Sequence, residues 1–66
     1  MIRIVKIEAD TPDKRVCTLF ADTKTEVPTY GKDTIDLAGP LGAGSVIYTA
    51  DLDIGVLNSS DEWVWH

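Results

Sequence analysis

Two blocks of alternating apolar and polar residues, one near each end of the chain, are separated by a middle stretch in which Pro28, Gly31, Gly39, Pro40, Gly42 and Gly44 recur. Proline removes a backbone donor and glycine weakens any regular element, so that stretch admits neither a long helix nor a central strand. What remains are short segments with a period of two, the spacing of a β-strand, and almost no helical signal. The chain is therefore constrained to an all-β fold whose strands lie at its two ends.

The first block opens with residues 2–9, IRIVKIEA. Val5, Ile7 and Ala9 line one face and Lys6 and Glu8 the other, with Ile2 and Ile4 thickening the second face near the start. Residues 10–14, DTPDK, place a proline and an aspartate where a tight reversal needs them. Residues 16–21 return as a second strand, which gives an N-terminal hairpin. In the last block, residues 46–50 are rich in β-formers, 51–53 reverse the chain, 54–57 return, 58–61 turn again, and 62–65 close the pattern as a three-stranded meander. Alternation puts Trp63 and Trp65 on one face of the last strand and Val64 on the other.

With 66 residues the chain has room for one domain. At that size folding buries only about 60% of the surface the unfolded chain exposes, so association with another molecule is a natural supplement to its stability. We expect a single small β domain spanning residues 1–66, with an N-terminal hairpin and a C-terminal three-stranded meander arranged as a partly open barrel or small sandwich. Residues 22–45 are expected to form an extended loop across one end, held down by Val27, Tyr30, Ile35, Leu37 and Leu41. The expected core draws on Val5, Ile7, Val16, Leu19, Phe20, Val46, Tyr48, Ile54, Val56, Leu57 and Trp63. Cys17 is the only cysteine, which excludes an internal disulfide, and within its apolar run it reads as a small buried hydrophobe.

The net charge is −5, and its distribution carries more information than its size. All the basic residues, Arg3, Lys6, Lys14, Arg15, Lys24 and Lys32, precede Asp33; from there on every charged side chain is a carboxylate, at Asp33, Asp36, Asp51, Asp53, Asp61 and Glu62. Nucleic-acid binding takes most of its affinity from neutralising phosphates, so aromatic residues among carboxylates make a poor platform for DNA or RNA. No run approaches the ~18 apolar residues of a membrane span. Arg3, Lys6 and Glu8 interrupt what would be the apolar region of a signal peptide. No nucleic-acid or membrane partner is expected, and the chain reads as soluble and made in a cytoplasm.

Catalytic and ligand motifs fail on spacing. The Gly39-to-Gly44 run is followed by no lysine and leads into a strand, where a phosphate cradle needs a helix N-terminus. Asp51 and Asp53 alternate as the first ligands of a calcium loop do, but residues 54–57, IGVL, supply no further oxygen. His66 is the only histidine and stands at the end of the chain, so neither a zinc set nor a triad assembles around it. We expect no catalytic residues, no metal and no cofactor. The paired tryptophans remain: Trp63 suits a lid on the core, and Trp65, nearer the periphery, suits a partner patch. Leu41, Tyr48, Trp63 and Trp65 are the candidate partner-binding residues.

The pattern Pro28-Thr29-x-Gly31, then Gly44-Ser45-Val46-x-Tyr48-Thr49-x-Asp51, then Val56-Leu57-Asn58 with Trp63 beyond the turn, resembles small, mostly β proteins encoded among the head and tail genes of tailed bacteriophages and prophages. The resemblance lies mainly in residues 28–65. It implies a structural or accessory virion component, located in a virion or a host cytoplasm and acting through protein contacts, as a homo-oligomer or docked on a larger phage structural protein. The alternative is a small acidic inhibitor or nucleic-acid mimic that engages the basic cleft of a host protein, steered there by the carboxylates of the second half.

Overall fold

The structure, a computed structural model, describes residues 1–10, 15–34 and 41–66. Five strands, β1 (Arg3–Asp10), β2 (Arg15–Ala21), β3 (Val46–Thr49), β4 (Ile54–Leu57) and β5 (Trp63–Trp65), form one mixed sheet in the order β1-β2-β3-β4-β5. The fold is all-β, with the N-terminal hairpin and the C-terminal meander in place, and the sheet does not close into a barrel. Two single turns of 3-10 helix, Lys24–Glu26 and Gly31–Asp33, interrupt the middle segment. Among the described residues no helix is long and apolar enough to cross a membrane.

The hairpin pairs β1 antiparallel to β2, with register shifts between Ile4 and Lys6 and between Ile7 and Ala9. Each shift opposes an extra β1 residue to β2 and increases the local twist, so β1 does not keep a clean alternation. The meander is antiparallel throughout, Val46 facing Val56 and Val56 facing Val64. The two units join through β2 and β3, which run parallel with Leu19 opposite Ile47 and Phe20 opposite Tyr48. Parallel neighbours cannot be joined by a tight turn; the chain must return to the same end of the sheet, which takes a dozen residues or more. Residues 22–45 make that return, which is the physical reason a chain this small carries so long a middle segment.

The described residues of that segment, 22–34 and 41–45, pack against one face of the sheet. Val27 packs against the core, Leu41 is buried and bridges to Arg15, and Thr34 sits beneath Trp63. Gly31 passes so close that a Cβ there would lie 2.6 Å from Leu57 Cδ2, so only glycine lets the backbone approach the sheet at this point. Ser45, fully buried, ties the return to β2: its Oγ donates to the Gly42 carbonyl at 2.8 Å and accepts from the Cys17 amide at 3.2 Å. Gly42 in turn donates its amide to the Arg15 carbonyl at 2.6 Å. The core is Cys17, Leu19, Ala21, Leu41, Ile47, Leu57 and Trp63, with Ile2, Ile4, Val27 and Trp65 packed against it.

This core corrects the expected one. Leu19, Leu57 and Trp63 are in it, but Val16, Phe20, Val46 and Val56 lie half-buried on the opposite face, and Val5, Ile7, Tyr48 and Ile54 are exposed. The cause is the composition of β2 and β3, in which both alternate sets, Val16-Thr18-Phe20 and Cys17-Leu19-Ala21, are apolar enough to be buried. Alternation separates the two sets without saying which faces inward. Tyr30, expected to hold the loop down, is exposed, and Ile35, Leu37, the 11–14 turn and Gly39-Pro40 lie outside the described residues.

Candidate interaction surface

Following the strand register across the sheet defines the face left uncovered by the middle segment. One row runs Arg3, Phe20, Tyr48, Ile54; the next runs Lys6, Thr18, Val46, Val56, Val64. Directly opposed residues point to the same side, so these side chains share one surface. The Arg3 guanidinium lies 5.5 Å from the centre of the Phe20 ring, which ties the edge strand to the aromatic part of the face. Tyr48 is 45% exposed, Val64 43% and Ile54 39%, whereas Leu19 and Ile47 on the covered side are 0%. Scattered apolar residues on a surface mean little, but a contiguous row of them on one sheet face is informative.

The four sequence candidates separate into distinct environments. Tyr48 stands at the centre of the open face, between Phe20 on β2 and Ile54 on β4. Leu41 is 5% exposed and Trp63 7%, both within the core. Trp63 donates its indole Nε1–H to Thr34 Oγ1 at 2.6 Å, and Thr34 Oγ1 donates to the Tyr30 carbonyl at 3.1 Å, so the ring is fixed by a buried polar chain. Trp65 shares the covered side with Trp63, stacks over Gly55, and carries the Lys24 ammonium 5.0 Å from its ring centre. Trp65 is half-buried, so its outer edge and Tyr48 are the accessible members of the set.

The residues that the sequence reading placed inside, Phe20, Val46, Ile54 and Val56, are the ones that furnish the open face together with Val64. The signal that identifies this face is Gly55. It is buried opposite Ile47 and Trp65, and a Cβ there would come within 3.0 Å of Ile47 Cγ2 and 3.1 Å of Trp65 Cζ3. The side of the sheet that carries Gly55 is thus the side with no spare room, which leaves Ile54 and Val56 on the other.

The charges of the described residues are arranged around this surface. Arg3 and Lys6 flank it along β1, where Lys6 Nζ lies 3.7 Å from Glu8 Oε2, an exposed pair of little energetic weight. At the opposite margin Glu62 bridges to Tyr30 and continues the alternation of Val64 on β5, with the Lys32 ammonium 5.6 Å from the Tyr30 ring centre. Among the described residues the remaining carboxylates of the second half, Asp33, Asp51, Asp53 and Asp61, belong to the connections between strands.

At the open end of the hairpin, where β1 begins and β2 ends, the Met1 amino group sits 2.7 Å from Asp22 Oδ2 and 2.9 Å from Glu26 Oε2. Hydrogen bonding to the two carboxylates holds the amine above its ordinary value, and the same contact with the amine, first among the causes for each, holds Asp22 and Glu26 below theirs.

Among the described residues no group of three or more histidine, cysteine or carboxylate side chains is close enough to hold a metal ion. The described surface offers apolar side chains flanked by charge. Comparison of the chain with protein-family models, with curated proteins and with solved structures finds no match.

Proposed function

We propose that this protein is a non-enzymatic protein–protein interaction module that works through the open face of its sheet, as a structural or accessory component of a phage-like particle. One observation carries the reading: a single sheet has two apolar faces, one covered by the chain's own middle segment and the other, centred on Tyr48, Val46, Ile54, Val56 and Val64, covered by nothing in the described part of the chain. The covered face, sealed with Trp63 and Leu41, provides the monomer's core. A second apolar face adds no burial to an isolated chain, but in an assembly it is a ready layer of a sheet-on-sheet sandwich. The particle context rests on the resemblance of residues 28–65 to small β proteins of head and tail gene clusters.

The test is photo-crosslinking from within the surface. A photoreactive phenylalanine analogue replacing Tyr48 should give protein adducts in the producing cell, and the same analogue replacing Ser59, on the turn between β4 and β5, should give none. Absence of protein adducts from the Tyr48 position, in a chain that folds normally, would overturn the interaction reading. Adducts confined to non-particle proteins would overturn the virion context alone.

A further inference from the structure

We infer that the turn between β3 and β4 presents Leu52 as an anchor for a protein partner whose binding site is an apolar pocket rimmed by lysine or arginine. This contact is separate from the open face of the sheet and goes beyond the reading proposed above.

The turn is a hairpin loop of three residues, Ala50, Asp51 and Leu52, closed by Thr49 and Asp53. The Leu52 amide donates to the Thr49 carbonyl at 3.1 Å, the Thr49 amide to the Asp53 carbonyl at 3.0 Å, and the Asp53 amide to Thr49 Oγ1 at 3.1 Å. In loops of this length the last residue takes the left-handed conformation, and that place ordinarily belongs to glycine. Here it holds a leucine, at φ 70. The conformation crowds a Cβ against the following carbonyl oxygen, which glycine avoids altogether and asparagine tolerates. Leu52 is also 90% exposed, the most of any large apolar side chain among the described residues. Backbone strain and a hydrated alkyl group thus coincide at one position. Asp61, at φ 65, shows the contrast: its carbonyl accepts the Gly31 amide at 2.9 Å and its Oδ2 the Lys32 amide at 3.3 Å, so its conformation fixes the middle segment. The exposed side chain of Leu52 does no such work within the chain. Strain of this kind concentrates at functional sites, and an alkyl side chain has binding to offer rather than chemistry.

The turn is also held in place. Thr49 is buried, and the Ala50 amide donates to the Ala21 carbonyl at 3.1 Å, which ties the loop to the end of β2. A protruding side chain on a fixed loop gives up little freedom when it docks. The residues on either side define the partner. Asp51 is exposed and Asp53 half-buried, and among the described residues neither forms an ion pair. A site that accepts leucine between two unpaired carboxylates needs apolar walls and cations at its rim. The same carboxylates repel the anionic surface of a membrane, so the complementary partner is a protein.

Two measurements test this. In isolation, Leu52→Asn should raise the thermal midpoint by about 4–8 °C, because asparagine suits the left-handed conformation and no buried contact is lost. For binding, the purified chain carrying a diazirine-bearing aliphatic analogue in place of Leu52 is irradiated in a lysate of the producing cell, and the adduct is mapped by mass spectrometry. The label should fall on a protein, at a peptide where apolar residues adjoin lysine or arginine. Unlabelled wild-type chain should compete the adduct away, and the Leu52→Asn chain should need about tenfold more, the loss expected for one buried leucine. Asp51→Lys/Asp53→Lys should weaken competition about fivefold at low salt and less at high salt, where the charges are screened.

A midpoint lowered by Leu52→Asn would mean that the leucine serves the fold, and would overturn the inference. Absence of a protein adduct, equal competition by the wild-type and Leu52→Asn chains, or capture of lipid or of an acidic peptide would overturn it too. Adducts from the Tyr48 position with none from Leu52 remove the anchor and leave the open-face reading standing; adducts from Leu52 with none from Tyr48 do the reverse.

Discussion

Replacing Thr34 with valine asks whether the buried polar chain under Trp63 holds the middle segment to the sheet. Valine matches threonine in shape but has no hydroxyl, so the Trp63 indole N–H, now bonded to Thr34 Oγ1 at 2.6 Å, is left inside without an acceptor. The Tyr30 carbonyl is less affected, since it also accepts from the Asp33 amide at 3.1 Å. The penalty is therefore that of one buried unpaired donor, about 1–3 kcal/mol.

A domain this small has only about 3–5 kcal/mol from its core, so the change removes a large share of its stability. At roughly 4–8 °C per kcal/mol, the thermal midpoint should fall by about 10 °C. Urea unfolding followed by tryptophan fluorescence, in an osmolyte that keeps the weakest variants folded, gives the values. Thr34→Ser keeps the hydroxyl and should lose less. In a Trp63→Phe background the donor is already gone, and Thr34→Val should then cost less than about 0.5 kcal/mol, because coupling exists only while both partners are present. An equal cost of Thr34→Val in the two backgrounds would refute the reasoning.

Three further outcomes follow from the same geometry. Gly31→Ala places a Cβ 2.6 Å from Leu57 Cδ2 and 2.7 Å from Asp61 Oδ1, and should lower stability by about 1–3 kcal/mol in urea titration; Gly44→Ala, at φ +95 with nothing within 4 Å, should show only the backbone cost of about 1 kcal/mol. Ser45→Ala removes the hydroxyl that donates to the Gly42 carbonyl at 2.8 Å and accepts from the Cys17 amide at 3.2 Å, and should lower stability by about 1–3 kcal/mol in urea titration. The Met1 cluster predicts a pH window: the amine, raised from 8.0, contributes fully below that pH and loses its contribution as pH rises through the raised value, while Asp22 and Glu26, lowered from 3.8 and 4.5, contribute above those values and lose their contribution as pH falls. Capping the amine should return both carboxylates toward their ordinary values in an NMR titration.

The strands were legible in the sequence because each is a short run of β-formers ended by turn residues. β4 falls where residues 54–57 were read, and β2, β3 and β5 differ from the expected spans by one residue. The pairing of Trp63 and Trp65 on one side follows from alternation alone, and both lie on the covered side. The parallel β2–β3 contact was not legible, since no local signal marks which strands of two separate units meet; it follows from the length of the crossover once the order is known. The inward face was not legible either. Val16, Phe20, Val46 and Val56 are as apolar as the residues that are buried, and the deciding features are distant: Gly31 against Leu57, and Thr34 under Trp63, pin the middle segment to one side. The apolar character of both alternate sets, which hid the inward face, is the same property that leaves the open face apolar.

Two-dimensional NMR of the chain, methyl-labelled at isoleucine, leucine and valine, with a soluble paramagnetic agent added, tests the central claim most directly, because the account has one apolar face of the sheet open to a partner and the other covered. The account predicts strong broadening at Val46, Ile54, Val56 and Val64 on the open face and little at Ile47 and Leu57 on the covered face. Equal broadening on the two faces, or protection of the first four, would contradict it.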